Sequence, residues 1–166
     1  QTSSTVSNVI KNFKEVEKVY KQGKEYYDKL QAVNNLVKDA RKVQQTVLLV
    51  GDVSEMYVQN FGKMMNDTNF STQEWAAIAN GDSALLNEST ELLKELKQIV
   101  SSSSLSLNDK ERMDIIDRVY KEVKEYHSLV RYYTNKNISV SFLRAKKQNN
   151  TKRVLDLYGT PNQKYW

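Results

Sequence analysis

The stretch NDTNFSTQEW, residues 66–75, decides how this chain folds, because it ends one long amphipathic segment and begins another. Its polar first half predicts a loop at residues 66–69. Ser71 and Glu74 have the spacing of a capping box, in which each side chain accepts a hydrogen bond from the backbone N–H of the other residue. Phe70 and Trp75 flank the box at the two positions of a hydrophobic staple. A helix is therefore predicted to begin directly after Ser71.

Before this loop, the apolar residues recur at alternating intervals of three and four, which is the heptad spacing of a helix that packs along a partner helix. The first part of this seam, interrupted only by Gly23, is Val6, Val9, Phe13, Val16, Tyr20, Tyr27 and Leu30. The stripe continues through Val33, Val37, Ala40, Val43 and Val47, and then through Val53, Tyr57, Phe61 and Met64. A kink or a helix end at Gly51-Asp52 is left open, and the helical period continues beyond these two residues to the loop.

After the loop, a second helix is predicted with a buried face of Ile78, Leu85, Leu86, Leu92, Leu93, Leu96 and Ile99. The serine run at 101–104 predicts a turn, and Asn108 with Glu111 offers another cap. The next helix carries Val119, Tyr120, Val123, Tyr126, His127, Val130 and Tyr133 and is expected to end near Asn135-Lys136-Asn137. A shorter helical segment is predicted from Val140 to Tyr158, with a break at Asn149-Asn150 left open, and Gly159 stands at the usual left-handed position after it.

Composition supports an all-α fold, because the 166 residues include one proline and five glycines and so contain few obligatory breaks. We predict an elongated, antiparallel long-helix hairpin resembling a coiled coil, with additional shorter helices. The length suits a single domain, 1–166, in which about residues 138–166 form a C-terminal helical appendage. The longest apolar run, Val47 to Val50, is far shorter than the roughly 20 residues that span a membrane, so no transmembrane segment is expected.

The sequence offers no recognisable catalytic motif. It contains no cysteine, a single histidine, no Walker loop and no GxGxxG pattern. His127 lies between Val123 and Val130, which predicts a boundary or core histidine. The carboxylates of the long helices alternate with lysines at intervals of three and four, as on a solvated helix face. We therefore predict no enzyme, no catalytic residue, no cofactor and no metal site.

Positive charge is concentrated at the C-terminal end. Residues 128–166 contain eight basic residues and the single acid Asp156, whereas residues 1–127 carry a net charge of −2. Clustered cations favour nucleic acid, a protein partner or a solvated basic face, and no known nucleic-acid motif accompanies them. The candidate partner-binding residues are Tyr132, Tyr133, Lys136, Arg144, Lys146, Lys147, Lys152 and Arg153.

Four segments together resemble a known family: VNNLVKDARKVQ (33–44), DKERMDIIDR (109–118), YYTNKNISVSFLRAKK (132–147) and VLDLYG (154–159). Their combination resembles the TraI-type transfer protein of conjugative transposons, over nearly the whole chain. The resemblance implies an exported component of the cell envelope or periplasm, whose leader peptide is absent from this chain. By size and helicity, the chain is also similar to the minor-pilin subunit of type IV secretion systems, a long helical hairpin with a small helical appendage.

The resemblance therefore implies a non-enzymatic, structural or protein-interaction role in a conjugative transfer apparatus. Its partners would be other subunits of the transfer channel or pilus, and a homo-oligomer is also compatible. The alternatives are a nucleic-acid-binding accessory protein and, third, an enzyme of unrecognised type. We expect the block from Tyr132 to Lys147 to be a hinge that presents a basic, tyrosine-bearing surface. The alternative is that Tyr133, Ile138, Val140 and Phe142 pack the appendage onto the long helices.

Overall fold

The protein is all-α. The computed structural model describes residues 40–101 and 108–159 and, ahead of them, residues 8, 11, 14, 15, 18, 21, 22, 24 and 25. In the two long ranges the helices are α1 (Ala40–Met65), α2 (Thr72–Ser101), α3 (Asp109–Lys147) and α4 (Thr151–Tyr158). The apolar residues predicted to form a heptad seam between Val6 and Leu30 lie outside the described residues. The same holds for Val33 and Val37.

Helices α1 and α2 form an antiparallel pair around the turn at residues 66–71. The predicted capping box is confirmed: Glu74 N donates to Ser71 Oγ at 3.1 Å, and Ser71 N donates to Glu74 Oε1 at 3.2 Å. Phe70 and Trp75 are both buried, as a hydrophobic staple requires. The Trp75 ring also meets Phe61 of α1 edge to face, with 5.8 Å between the ring centroids. This contact holds the two helices together directly beside the turn.

The helix end left open at Gly51-Asp52 does not occur. Helix α1 continues through both residues to Met65. Val50 and Val53 on either side are completely buried. Burial of these neighbours stabilises the helix at a position where glycine costs about 1 kcal/mol relative to alanine.

Helix α3 packs against both α1 and α2 and completes a three-helix bundle. Ion pairs Lys42–Asp117 and Asp52–His127 both join residues 75 apart, so α1 and α3 run parallel. Two further ion pairs join α2 to α3, Glu74–Arg144 and Glu95–Arg118. The residue numbers rise along α2 while those of their partners fall along α3, so these two helices run antiparallel.

The bundle has two apolar clusters, one at each end. The cluster near the turn contains Val53, Met56, Tyr57, Phe61, Met64, Phe70, Trp75, Ala79, Leu86 and Val130. The cluster at the other end contains Val43, Val47, Val50, Leu92, Leu93, Leu96, Ile116, Val119 and Val123. The apolar face predicted for α2 is confirmed, because all its residues except Ile99 are buried in these clusters or packed against them, and Ile99 is buried as well.

The helix end predicted near Asn135-Lys136-Asn137 is wrong. Helix α3 runs without interruption from Asp109, after the predicted and confirmed Asn108–Glu111 capping box, to Lys147. Thr134 and Ile138, on either side of the polar triplet, are buried on the face that Val130 begins. Their packing outweighs the weak helix propensity of asparagine. The segment from Tyr132 to Lys147 is therefore part of one continuous helix and is not a hinge.

The chain breaks instead at residues 148–150, so the break left open at Asn149-Asn150 is confirmed and the start predicted at Val140 is wrong. Asn149 adopts a φ of 55°, in the left-handed region that asparagine tolerates better than most residues. Helix α4 then folds back onto α3, where Val154 and Tyr158 pack with Ile138 and Ala145. Gly159 ends α4 with a φ of 88°, and its N–H donates to Leu155 O at 2.8 Å.

A buried carboxylate joins the turn to α3 and α4. Asp67 accepts hydrogen bonds from Ser141 Oγ at 2.5 Å, from Tyr158 Oη at 2.6 Å and from Asn69 N at 2.9 Å. Asp67, Ser141 and Tyr158 are all buried. Burial, together with the Asp67 carboxylate, raises the pKa of the Tyr158 hydroxyl above its usual range. This cluster connects segments that are more than 70 residues apart in the sequence.

We expect Tyr158→Phe to lower the free energy of unfolding by about 1–3 kcal/mol, because the buried Asp67 carboxylate loses a donor and keeps its desolvation cost. Urea denaturation followed by circular dichroism measures the change. Tyr132→Phe is the matched control, because Tyr132 is 58% exposed. Equal losses for both variants, or none for Tyr158→Phe, would contradict the role of this hydrogen bond.

Candidate interaction surface

The eight residues predicted to bind a partner fall into two groups. Seven of them are exposed: Tyr132, Tyr133, Lys136, Lys146 and Lys147 on α3, and Lys152 and Arg153 on α4. The eighth, Arg144, is half-buried. The structure therefore brings an aromatic pair and a set of cations to the surface of the C-terminal half of α3 and of α4.

The two tyrosines form the most exposed aromatic pair among the described residues. Tyr132 is 58% exposed and Tyr133 is 45% exposed, and their rings meet edge to face with 5.4 Å between centroids. The Lys136 Nζ lies 5.9 Å from the Tyr132 ring centroid, within reach of a cation–π interaction. Helical geometry required only one of the two tyrosines to point outward. Both do so, because the buried face of α3 uses Val130 and Thr134 instead.

Two exposed leucines extend the aromatic pair along α3. Leu129 is 40% exposed and Leu143 is 60% exposed. These leucines were not predicted as surface residues, although Leu129, Lys136 and Leu143 recur at intervals of seven and so lie on one side of a helix. We call Leu129, Tyr132, Tyr133, Lys136 and Leu143 the outer stripe.

Arg144 binds within the protein. Its Nη1 lies 2.7 Å from Glu74 Oε2 and donates to Asn69 O at 2.8 Å. Its guanidinium group also lies over the Phe70 ring, 5.6 Å from the centroid. The Arg144 side chain and the backbone N–H of Ser71 lower the pKa of Glu74 below its usual range. Arg144 therefore fastens α3 to the turn between α1 and α2.

The alternative role proposed for four residues of this segment, which is to pack the appendage onto the long helices, holds for two of them. Ile138 is buried against α4, and Phe142 packs against the same cluster. Val140 packs against the apolar cluster near the turn. Tyr133 is exposed and remains available at the surface.

His127 occupies the boundary position that the sequence predicts. It is half-buried, and its Nε2 lies 2.6 Å from Asp52 Oδ2 of α1.

Within the described parts of the chain, no three His, Cys, Asp or Glu side chains gather as ligands for a metal ion. None of the helices described is both long and apolar enough to cross a membrane.

A buried acid in the middle of α2 was not predicted, because Asp82 lies in the polar run NGDS (80–83), which is typical of an exposed position. Asp82 is 6% exposed, and burial raises its pKa to about 7. The Glu74–Arg144 and Glu95–Arg118 pairs place it near the level of Thr134. Burial, and then the charge of Asp82, raise the pKa of Tyr57 above its usual range. Thr134 Oγ1 and Asn135 Oδ1 are buried without a hydrogen-bond partner among the described residues.

Asp82 should make the bundle less stable as the pH rises. The folded protein holds the Asp82 proton up to a pKa of about 7, whereas the unfolded chain releases it near the ordinary value of 3.8, so stability falls between these values. A pKa difference of this size lowers the free energy of unfolding by roughly 4 kcal/mol. We expect Asp82→Asn to raise the free energy of unfolding at pH 8 by up to that amount and to differ little from the parent protein near pH 4.

Denaturant unfolding across this pH range measures the effect. Glu88→Gln, an exposed carboxylate on the same helix, is the matched control and should leave the pH profile unchanged. A parent profile that does not decline between about pH 4 and 7, or a decline that Asp82→Asn does not remove, would contradict the assignment.

The described helices define an all-α bundle with an exposed, basic and aromatic face on α3. Searches of protein-family models, of curated proteins and of solved structures each found no match to this chain.

Proposed function

We propose that this protein has a non-enzymatic role in which the exposed face of α3 and α4 binds another protein. The observation that carries this proposal is the exposed pair of Tyr132 and Tyr133 on α3, the helix whose last turn carries the exposed Lys146 and Lys147. Tyrosine and arginine are enriched in protein interfaces, where a large ring buries apolar area and a polar tip keeps a hydrogen bond. An exposed aromatic pair on a rigid helix also loses little conformational entropy on binding.

The cations lie on both sides of the chain break at residues 148–150. Lys146 and Lys147 belong to the last turn of α3, and Lys152 and Arg153 to the first turn of α4. All four side chains are exposed. A cluster of this kind attracts an acidic partner over a distance and fixes its orientation. We therefore assign the long-range attraction to this cluster and the close contact to the tyrosines.

We place this role in the envelope-resident apparatus of conjugative transfer, with other subunits of the transfer channel or pilus as partners. This part of the proposal is supported by the four sequence segments that resemble TraI-type transfer proteins. A structural role suits the architecture, because α3 alone is 39 residues long and would extend about 58 Å at 1.5 Å per residue.

A nucleic-acid-binding accessory protein is the second candidate, and the same four exposed cations favour it. Contacts between lysines and phosphates release counterions, so binding falls steeply with added salt. The aromatic pair is compatible with base stacking as well as with a protein interface. An oligonucleotide titration at two salt concentrations separates the two functions.

The triple variant Lys146→Glu, Lys147→Glu, Lys152→Glu should fold normally and lose function. Its three side chains are exposed, and such charges contribute only ~0–1 kcal/mol each to stability. If the cluster attracts an acidic subunit, like charges now meet across the interface and weaken the complex. We expect an unchanged melting curve, a lower transfer frequency in a donor strain complemented with the variant, and loss of crosslinks from a photoreactive residue at position 153.

Arg144→Glu is the contrasting variant, because it opposes Glu74 and removes a donor to Asn69 O, so it should lower the melting temperature. Normal transfer by the well-folded triple variant would contradict the proposed role of the cluster. Salt-sensitive oligonucleotide binding that the triple variant abolishes would favour the nucleic-acid function.

A further inference from the structure

The outer stripe has the geometry of a binding site for one helix. Leu129, Lys136 and Leu143 are spaced by seven, and Tyr132 and Ser139 occupy the intermediate positions of the same face. These positions extend over 15 residues of α3, or roughly 21 Å, which is about four helical turns. A seam of this periodicity is complementary to a second helix that lies along it, with its own apolar residues at intervals of three and four.

The described helices leave this seam uncovered. Its apolar members are between 40% and 60% exposed, in contrast to Val130, Thr134 and Ile138 on the opposite face of the same helix. Ser139, also exposed, is short and would let a neighbouring helix approach closely. A contiguous exposed apolar strip marks an interaction site more often than isolated apolar side chains do.

Charge indicates what kind of helix fits. From residue 128 to residue 155 the chain contains no acidic residue, and Lys136 stands at the centre of the seam. Two copies of the stripe packed together, whether parallel or antiparallel and in register, would bring Lys136 against its own counterpart. This arrangement is unfavourable because like charges meet at the centre of the contact. A second copy of the stripe is therefore a poor occupant, whereas a helix that supplies carboxylates is a good one.

We infer that the outer stripe binds an amphipathic helix of a partner protein that carries acidic residues beside its apolar face. The inference rests on the proposed interaction role and adds the chemistry of the partner. Leu129 and Leu143 bind the two ends of the incoming apolar face, and Tyr132 and Tyr133 cover its middle. Lys136 pairs with a carboxylate there and so selects acidic helices over neutral or basic ones.

A designed peptide tests this inference without the natural partner. The probe is a fluorescein-labelled, three-heptad peptide with leucine at the two core positions of each heptad and glutamate at the flanking positions. The matched peptide has lysine in place of every glutamate. Fluorescence anisotropy with the full chain should show binding of the acidic peptide and binding of the basic peptide at least about tenfold weaker, a difference of about 1.4 kcal/mol.

Variants on α3 then locate the site. Leu129→Asp and Leu143→Asp should each weaken binding of the acidic peptide about tenfold or more, with unchanged melting curves because both side chains are exposed. Leu48→Asp is the matched control: Leu48 is a leucine on α1 that is 51% exposed, and its replacement should leave binding unchanged. Lys136→Glu should reverse the preference, so that the lysine peptide binds more tightly than the glutamate peptide.

Several outcomes would overturn the inference. They are no binding of the acidic peptide, equal binding of both peptides, a loss with Leu48→Asp as large as that with Leu129→Asp, or self-association of the chain that Leu129→Asp abolishes. Each is distinguishable from failure of the proposed function. Crosslinks from position 153 to another subunit, without peptide binding at the stripe, would keep the interaction role and remove the helix-docking inference. Normal transfer by both the triple variant and Leu129→Asp would remove the proposed function, whatever the peptides show.

Discussion

The carboxylate of Asp67 is the constraint on which the C-terminal half of this structure depends. It lies in the turn between α1 and α2, is buried, and accepts hydrogen bonds from α3 through Ser141 and from α4 through Tyr158. A buried carboxylate without such donors would be strongly unfavourable, so the turn, α3 and α4 can be buried together only in this arrangement. Arg144 reinforces the same junction from outside, because it binds both Glu74 and the backbone of Asn69.

Local sequence signals predicted much of the helical framework. The Ser71–Glu74 and Asn108–Glu111 caps and the apolar face of α2 each depend on residues within a few positions of one another, and the structure has all of them. The continuity of α3 through Asn135-Lys136-Asn137 was not predictable in this way. It depends on the burial of Thr134 and Ile138 against residues distant in sequence, and such packing overrides local propensity.

The sequence predicted the candidate surface only in part, because some of its residues have partners that are distant in the sequence. Tyrosines and cations can be counted in the sequence, and seven of the eight chosen residues are indeed at the surface. The internal role of Arg144 was hidden, because its partners Asn69 and Glu74 are about 70 residues away and no pattern in either segment points to the other. Asp82 was hidden as well, because a polar neighbourhood in the sequence does not reveal that the side chain lies at the centre of a bundle.

The distribution of acids explains why the outer face of α3 stays cationic. Two carboxylates contact the C-terminal half of α3: Glu74 is paired with Arg144, and Asp67 is buried and bound by hydroxyl donors. Helix α3 itself contains no acidic residue after Glu125. Its own sequence therefore supplies no carboxylate close to Lys136, Lys146 or Lys147. Because Glu74 and Asp67 are bound within the internal junction, neither carboxylate competes with the acidic side chains of the proposed partner for these lysines. The same interactions that close the fold thus leave the outer stripe and the basic cluster open to one.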